Sequence, residues 1–206
     1  MQRWFAARQL PCVVAGSRYE GIKLSAVDVD YEALCIHAVN GFVSQGHKHL
    51  MLLNPNPASA GDDRTEKSFM AAAAQHGSIV GQIIKHDGSA ADICRQVEFA
   101  LTRESHPTGI LVSRAHHVLT VITFLLGRGV RIPEHLSLIA RESDTYLESV
   151  VPEVARYFQD PNAFAANASR LVTRMIRGSS HIEDCKITPR FIRARTLGPL
   201  PHSFSP

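Results

Sequence analysis

Two clusters of charged side chains stand directly after short apolar runs: TGILVS leads into Arg114, Ala115, His116 and His117, and LSLIA leads into Arg141, Glu142, Ser143 and Asp144. Arginine and imidazole donate hydrogen bonds, carboxylates accept them, and a small polar or ionic molecule set among them is gripped by charge-assisted bonds. Arg114, His116, Glu142 and Asp144 are therefore candidates for ligand contact. A solvated loop with internal ion pairs explains the same residues, because loops at strand ends are polar in any protein.

Other chemistries find less support in the spacing. Eleven histidines invite a metal site, but His47 and His49 flank the start of an apolar run and His116 and His117 are consecutive, so neither pair has the i, i+4 spacing of a helical site. Cys12, Cys35, Cys94 and Cys185 stand far apart without C-x-x-C spacing, so no metal and no redox motif is expected. A G-x-S-x-G elbow and a glycine-rich phosphate loop are both missing. Glu142 and Asp144 could serve as the paired carboxylates of a glycosidase, yet two acids on one turn beside Arg141 read as a neutralised ligand clamp. The sequence thus assigns no catalytic residue and no cofactor, and a non-enzyme is expected.

The elements that must position these residues alternate. Apolar runs at CVVAG, Leu24 to Val29, HLMLLN, SIVGQIIKH, TGILVS, LSLIA and Val154 to Phe158 read as buried strands. Between them, helical spacing covers Tyr31 to Ser44, about Arg64 to Gln75 with Asp62 or Asp63 as cap, Ala90 to Leu101, Val118 to Leu126 and Phe164 to Ile176. CKITPRFIRART reads as two extended pieces hinged at Pro189, and Trp4 as packing on a short first helix. This order makes the chain α/β, with parallel sheets flanked by helices, and ligands of such sheets bind beyond the carboxyl ends of the strands.

Composition narrows the class further. The chain has 206 residues, 45% of them hydrophobic and 20% charged, the balance of a globular protein with a real core. Its net charge of +3 is spread along the sequence without runs of Lys or Arg, which argues against a nucleic-acid footprint on this chain. The first residues lack the apolar core of a signal peptide, and no uncharged run reaches membrane-spanning length. A cytoplasmic protein without membrane contact is expected.

Read in order, "PCVVAG", "VDVDYEA", "SQGHKHLMLL", "GRGVRIPEHLSLIA", "VPEVARYFQD" and "ITPRFIRART" resemble the effector-binding domain of the lactose and galactose repressor family, over nearly the whole chain. Gly46-His47 before one strand, Gly129 with Ile132-Pro133-Glu134 before another, and Pro152 carry the likeness. The resemblance implies a two-lobed, periplasmic-binding-protein-like fold joined by three crossovers, with residues 1–46 and 159–190 as a partial first lobe and 47–158 plus 191–206 as the second. It implies an effector, a sugar or a related small metabolite, bound between the lobes to control a DNA-binding helix-turn-helix that this chain does not contain, and it implies a homodimer with Phe5 and Leu10 as interface candidates.

The resemblance adds Arg64 and Gln159 as ligand contacts and places Asp30 at an acidic position that begins a helix, where N-capping is an equal reading. Arg114 stands where the family commonly has Asn or Asp, and Glu142 where it has Asp. KHDGSAADI lacks the aromatic that often stacks on a sugar face. These departures point to an acidic sugar or another metabolite in place of an ordinary hexose. Since the family's early strands have no counterpart here, the first lobe is expected to expose sheet edge and apolar surface. A stand-alone sugar-binding protein of the periplasmic type is the alternative, and it lacks a signal peptide.

Overall fold

Alternation along the strands decides how the larger sheet is covered. In the computed structural model, which describes residues 1–179 and 181–200, Leu50 and Leu52 of β3 (His49–Pro55) turn to one face while Met51 and Leu53 turn to the other. Strands buried on both faces read as continuous apolar runs, which is why HLMLLN and TGILVS show no polar alternation. Around β3 a six-stranded sheet forms in the order β4-β3-β5-β6-β7-β9, with β4 at Val80–His86, β5 at Gly109–Val112, β6 at Ser137–Ala140, β7 at Ala155–Phe158 and β9 at Arg190–Ile192. All its pairs are parallel except β7 with β9.

One face of this sheet takes α4 (Ala90–Leu101) and α5 (Ala115–Gly127) through Ile93, Val97, Val118, Val121 and Leu125. The other takes α2 (Tyr31–Ser44) and α3 (Ala60–Ala74) through Leu34, Ala38, Phe42 and Phe69. Helix α2 therefore packs with Leu50, Leu111, Ile139 and Tyr157 of the six-stranded sheet, although the reading of residues 1–46 as one unit had placed it with the first lobe. The apolar stripe at Leu34, Cys35, Ala38 and Phe42 cannot say which sheet it covers.

The smaller unit is a parallel three-stranded sheet, β1 (Val13–Ala15), β2 (Ser25–Val29) and β8 (Asp184–Ile187) in the order β1-β2-β8, with α6 (Pro161–Ile176) against it. The short α1 (Gln2–Ala7) lays Phe5 and Ala6 on Val14, Leu24 and Ala26, so Phe5 belongs to this small core, whereas Leu10 is exposed. Trp4, expected to pack, is exposed with the Arg8 guanidinium over its ring. The chain passes between the units after Val29, after Phe158 and at Thr188-Pro189, so the two extended pieces around Pro189 enter different sheets. Residues 201–206 of the stretch assigned to the second lobe lie outside the described residues.

Two helix starts differ from the sequence reading. Helix α3 begins at Ala60 because Ser59 caps it: the Asp62 N–H donates to Ser59 Oγ, and the Ser59 N–H donates back to Asp62 Oδ2 at 2.9 Å. Helix α5 begins at Ala115, directly beyond the extended Arg114.

Candidate functional site

Strands β2, β5 and β6 and the first turns of α3 bring together polar side chains that lie far apart in the sequence. Arg141, next after β6, is fully buried and places Nη1 2.9 Å from Asp62 Oδ1, donates from the same nitrogen to Thr65 Oγ1 at 2.8 Å, and donates from Nη2 to Glu142 Oε1 at 3.0 Å. Its guanidinium lies 5.3 Å from the centre of the Tyr31 ring. Arg114, next but one after β5, bridges the same two acids: it donates to Asp62 Oδ2 at 2.6 Å and to Glu142 Oε1 at 2.8 Å. Two arginines and two carboxylates thus form one closed network.

The charges stabilise one another. Burial of Asp62 opposes its ionisation, yet the hydrogen bonds from Ser59 together with Arg141 and Arg114 leave its carboxyl below the usual range. Burial would likewise loosen the Arg141 proton, but Glu142, Tyr31 and Asp62 hold its pKa above the ordinary arginine value. Burial pushes the Cys35 thiol up to about 12 against the opposing Arg141, so it is inert as a nucleophile.

A second group joins the two sheets. Arg64 on α3 donates to Asp28 Oδ2 on β2 at 3.3 Å, and the Ser17 hydroxyl donates to the same oxygen at 2.6 Å. Arg64 also lines a cavity of about 320 Å³ with Arg18, Tyr19, Glu20, Asp63 and Lys67. On the other flank of the network, Glu142, Asp144 and Gln159 line a cavity of about 500 Å³ with Ser143, Thr145 and Phe158.

Of the candidates read from the sequence, Arg114 and Glu142 are therefore in contact, Glu142, Asp144 and Gln159 share one cavity, and Arg64 faces another. Asp30 caps α2, its Oδ1 accepting the Ala33 N–H at 3.1 Å. His116 is exposed, with its ring centre 4.0 Å from that of His117. Asp62, Thr65 and Tyr31 went unrecognised as members of the network, and Asp28 as the partner of Arg64. Asp62 carried a signal only as a cap, and Asp28 sits inside an apolar run where nothing marks its partner 36 residues away.

Parallel sheets flanked by helices define a fold of the periplasmic-binding class, and the chain belongs to the Periplasmic binding protein-like domain family, which it matches over residues 39–196. It is similar to Catabolite control protein A of Priestia megaterium, 25% identical over 168 residues that cover 80% of this chain and 51% of that protein. The chain spans about half the length of the curated relatives it matches. Its fold is shared with a LacI family transcriptional regulator from Bifidobacterium animalis subsp. lactis, at a TM-score of 0.86 and 16% identity over 97% of this chain and 73% of that one. It is also shared with a LacI family transcriptional regulator from Enterococcus faecium with bound ribose, at a TM-score of 0.80 and 17% identity over 96% of this chain and 74% of that one. The fold and family implied by the sequence motifs are those observed.

Among the described residues no cluster of three or more His, Cys, Asp or Glu is arranged to hold a metal ion, and no helix is long and apolar enough to cross a membrane.

Proposed function

We propose that this chain is the ligand-sensing part of a transcription regulator of the lactose-repressor kind, taking a sugar or related metabolite beside the Arg114–Glu142 network. Convergence of polar side chains from β2, β5, β6 and α3 on the carboxyl ends of parallel strands, between two cavities, carries the reading. Arg64, Arg114, His116, Glu142, Asp144 and Gln159 are the contacts assigned, and Asp30 is withdrawn to its capping role. In this reading the effector shifts the relation between the two sheets, a homodimer transmits the shift, and a helix-turn-helix outside these residues binds DNA in the cytoplasm. The relatives named above are regulators, which favours this reading over a stand-alone sugar-binding protein or a glycosidase.

Calorimetric titration with a panel of monosaccharides and sugar acids, ribose included, tests it. Removing one charge-assisted contact by Arg114→Ala or Glu142→Ala should weaken the ligand found by roughly tenfold or more. Wild-type affinity in both variants, with melting curves showing folded protein, would sink the site assignment.

A further inference from the structure

One cluster at the same edge of the six-stranded sheet takes no part in the charged network. His86 ends β4, and His117 stands in the first turn of α5. Their ring centres are 4.5 Å apart and nearly perpendicular, and the His116 ring centre lies 4.0 Å from that of His117. Both rings are more than nine-tenths buried, at 2% and 5% exposure. Each nonetheless keeps a buried nitrogen with no hydrogen-bond partner among the described residues: Nε2 of His86 and Nδ1 of His117.

Protonation at His86 is fixed by its other nitrogen. Nδ1 accepts the Gly88 N–H at 3.0 Å, so in the neutral ring the proton sits on Nε2, leaving a buried N–H donor without an acceptor. Helix α5 adds further donors. Its N-cap is Arg114, whose side chain cannot accept, and among the described residues no side chain caps the helix; the His117 N–H donates to the Arg114 carbonyl at 3.1 Å, which leaves the N–H groups of Ala115 and His116 without a side-chain acceptor. The positive end of the helix dipole lies at the same place. Buried polar groups are paired in nearly every folded protein, and each one left unpaired is costly. Here the Nε2–H of His86 is an unmet donor close to the first turn of α5 and the Arg114 cation, and Nδ1 of His117 becomes a second donor when that nitrogen carries a proton.

We propose that His86, His117 and the uncapped N-terminus of α5 form an oxyanion subsite, which takes the phosphate or carboxylate of an acidic effector, with His116 as its exposed cover. The assignment to an effector rests on the proposed sensing function; the oxyanion site itself does not. Negative charge near it comes from Asp87 and Asp92, but the Asp92 carboxylate already accepts the Asp87 N–H and pairs with Arg95, and Asp87 accepts the Ser89 N–H. Glu142 pairs with Arg114 and Arg141. Burial first, then Asp92 and Asp87 in the opposite sense, leave His86 with a lowered pKa, and an arriving oxyanion reverses that direction by favouring the charged ring.

Histidine ring-proton resonances of the full chain, followed during titration with inorganic phosphate at constant ionic strength near neutral pH, provide the test. The expected result is a saturable shift of the His86 and His117 signals, absent with chloride, and an upward move of their titration midpoints. His117→Leu should weaken phosphate by about tenfold, while His117→Asn, which keeps a polar group near the Nδ1 position, should retain most of the affinity; circular dichroism establishes that both are folded. The probe is inorganic phosphate with no sugar present, so the result does not depend on the failure or success of the sugar-contact assignment. A hexose phosphate that binds more tightly than inorganic phosphate identifies the effector as the source of the anion, and equal affinity identifies free phosphate. Shifts that do not saturate, or that persist unchanged in His117→Leu, overturn the subsite.

Discussion

Arg141 and Asp62 hold each other in place where neither has water to fall back on, so their pairing matters most when one partner is removed. A buried ion left alone costs about 3–5 kcal/mol, far more than the net worth of an intact pair. Asp62→Ala is therefore expected to destabilise the chain by about that amount in urea denaturation, with loss of the α3 capping box included. His117 predicts a pH dependence. Burial, then His116, His86 and Arg114, hold its pKa down to about 4 from 6.5, so the unfolded chain takes up the proton first as the pH falls. Stability from this group is complete above 6.5 and is lost as the pH drops toward about 4; His86 and His47 shift in the same direction. Melting temperature measured without phosphate should fall across that window, and His117→Phe should flatten the fall. The residue types of Arg114, Glu142 and Asp144 marked a polar site in the sequence. That Glu142 neutralises Arg114 could not be read there, because 28 residues and a whole helix separate them.

At the scale of elements, β3, β5 and β6 were legible because each is a short apolar run between turn residues, and α2 and α4 because their apolar positions recur at helical spacing. Helix starts were less so. Ser59 and Asp62 cap α3 reciprocally, while the sequence reading took an aspartate as the sole cap. The close approach of α2 to the sheet at Gly109 was also invisible. A Cβ there would stand 2.8 Å from Leu50 Cδ2 and 2.8 Å from Phe42 Cδ1, both on fully buried side chains. Gly109→Ala should therefore cost about 1–3 kcal/mol by overpacking. A denaturation midpoint equal to wild type would show that Phe42 and Leu50 can move aside freely.

Contacts between the two units include Arg64 with Asp28, which joins α3 to β2 directly. Asp28 is buried and Arg64 about one-third exposed, so the pair is better shielded than a surface salt bridge. Arg64→Ala is expected to leave each sheet intact while loosening their arrangement. Small-angle scattering without ligand should then give a larger radius of gyration, and an unchanged value would mean that the crossovers alone fix the geometry.

What the sequence by itself determined was the class of architecture, since periodicity and turn residues are local and every strand carries its own signal. Motif order added the family. Only the tertiary structure decided which sheet α2 covers, that Asp62 sits between two arginines, and that His86 meets His117. Each of these is a contact between segments whose separation along the chain is set by intervening elements, and local patterns contain no information about such distances until the sheets are assembled.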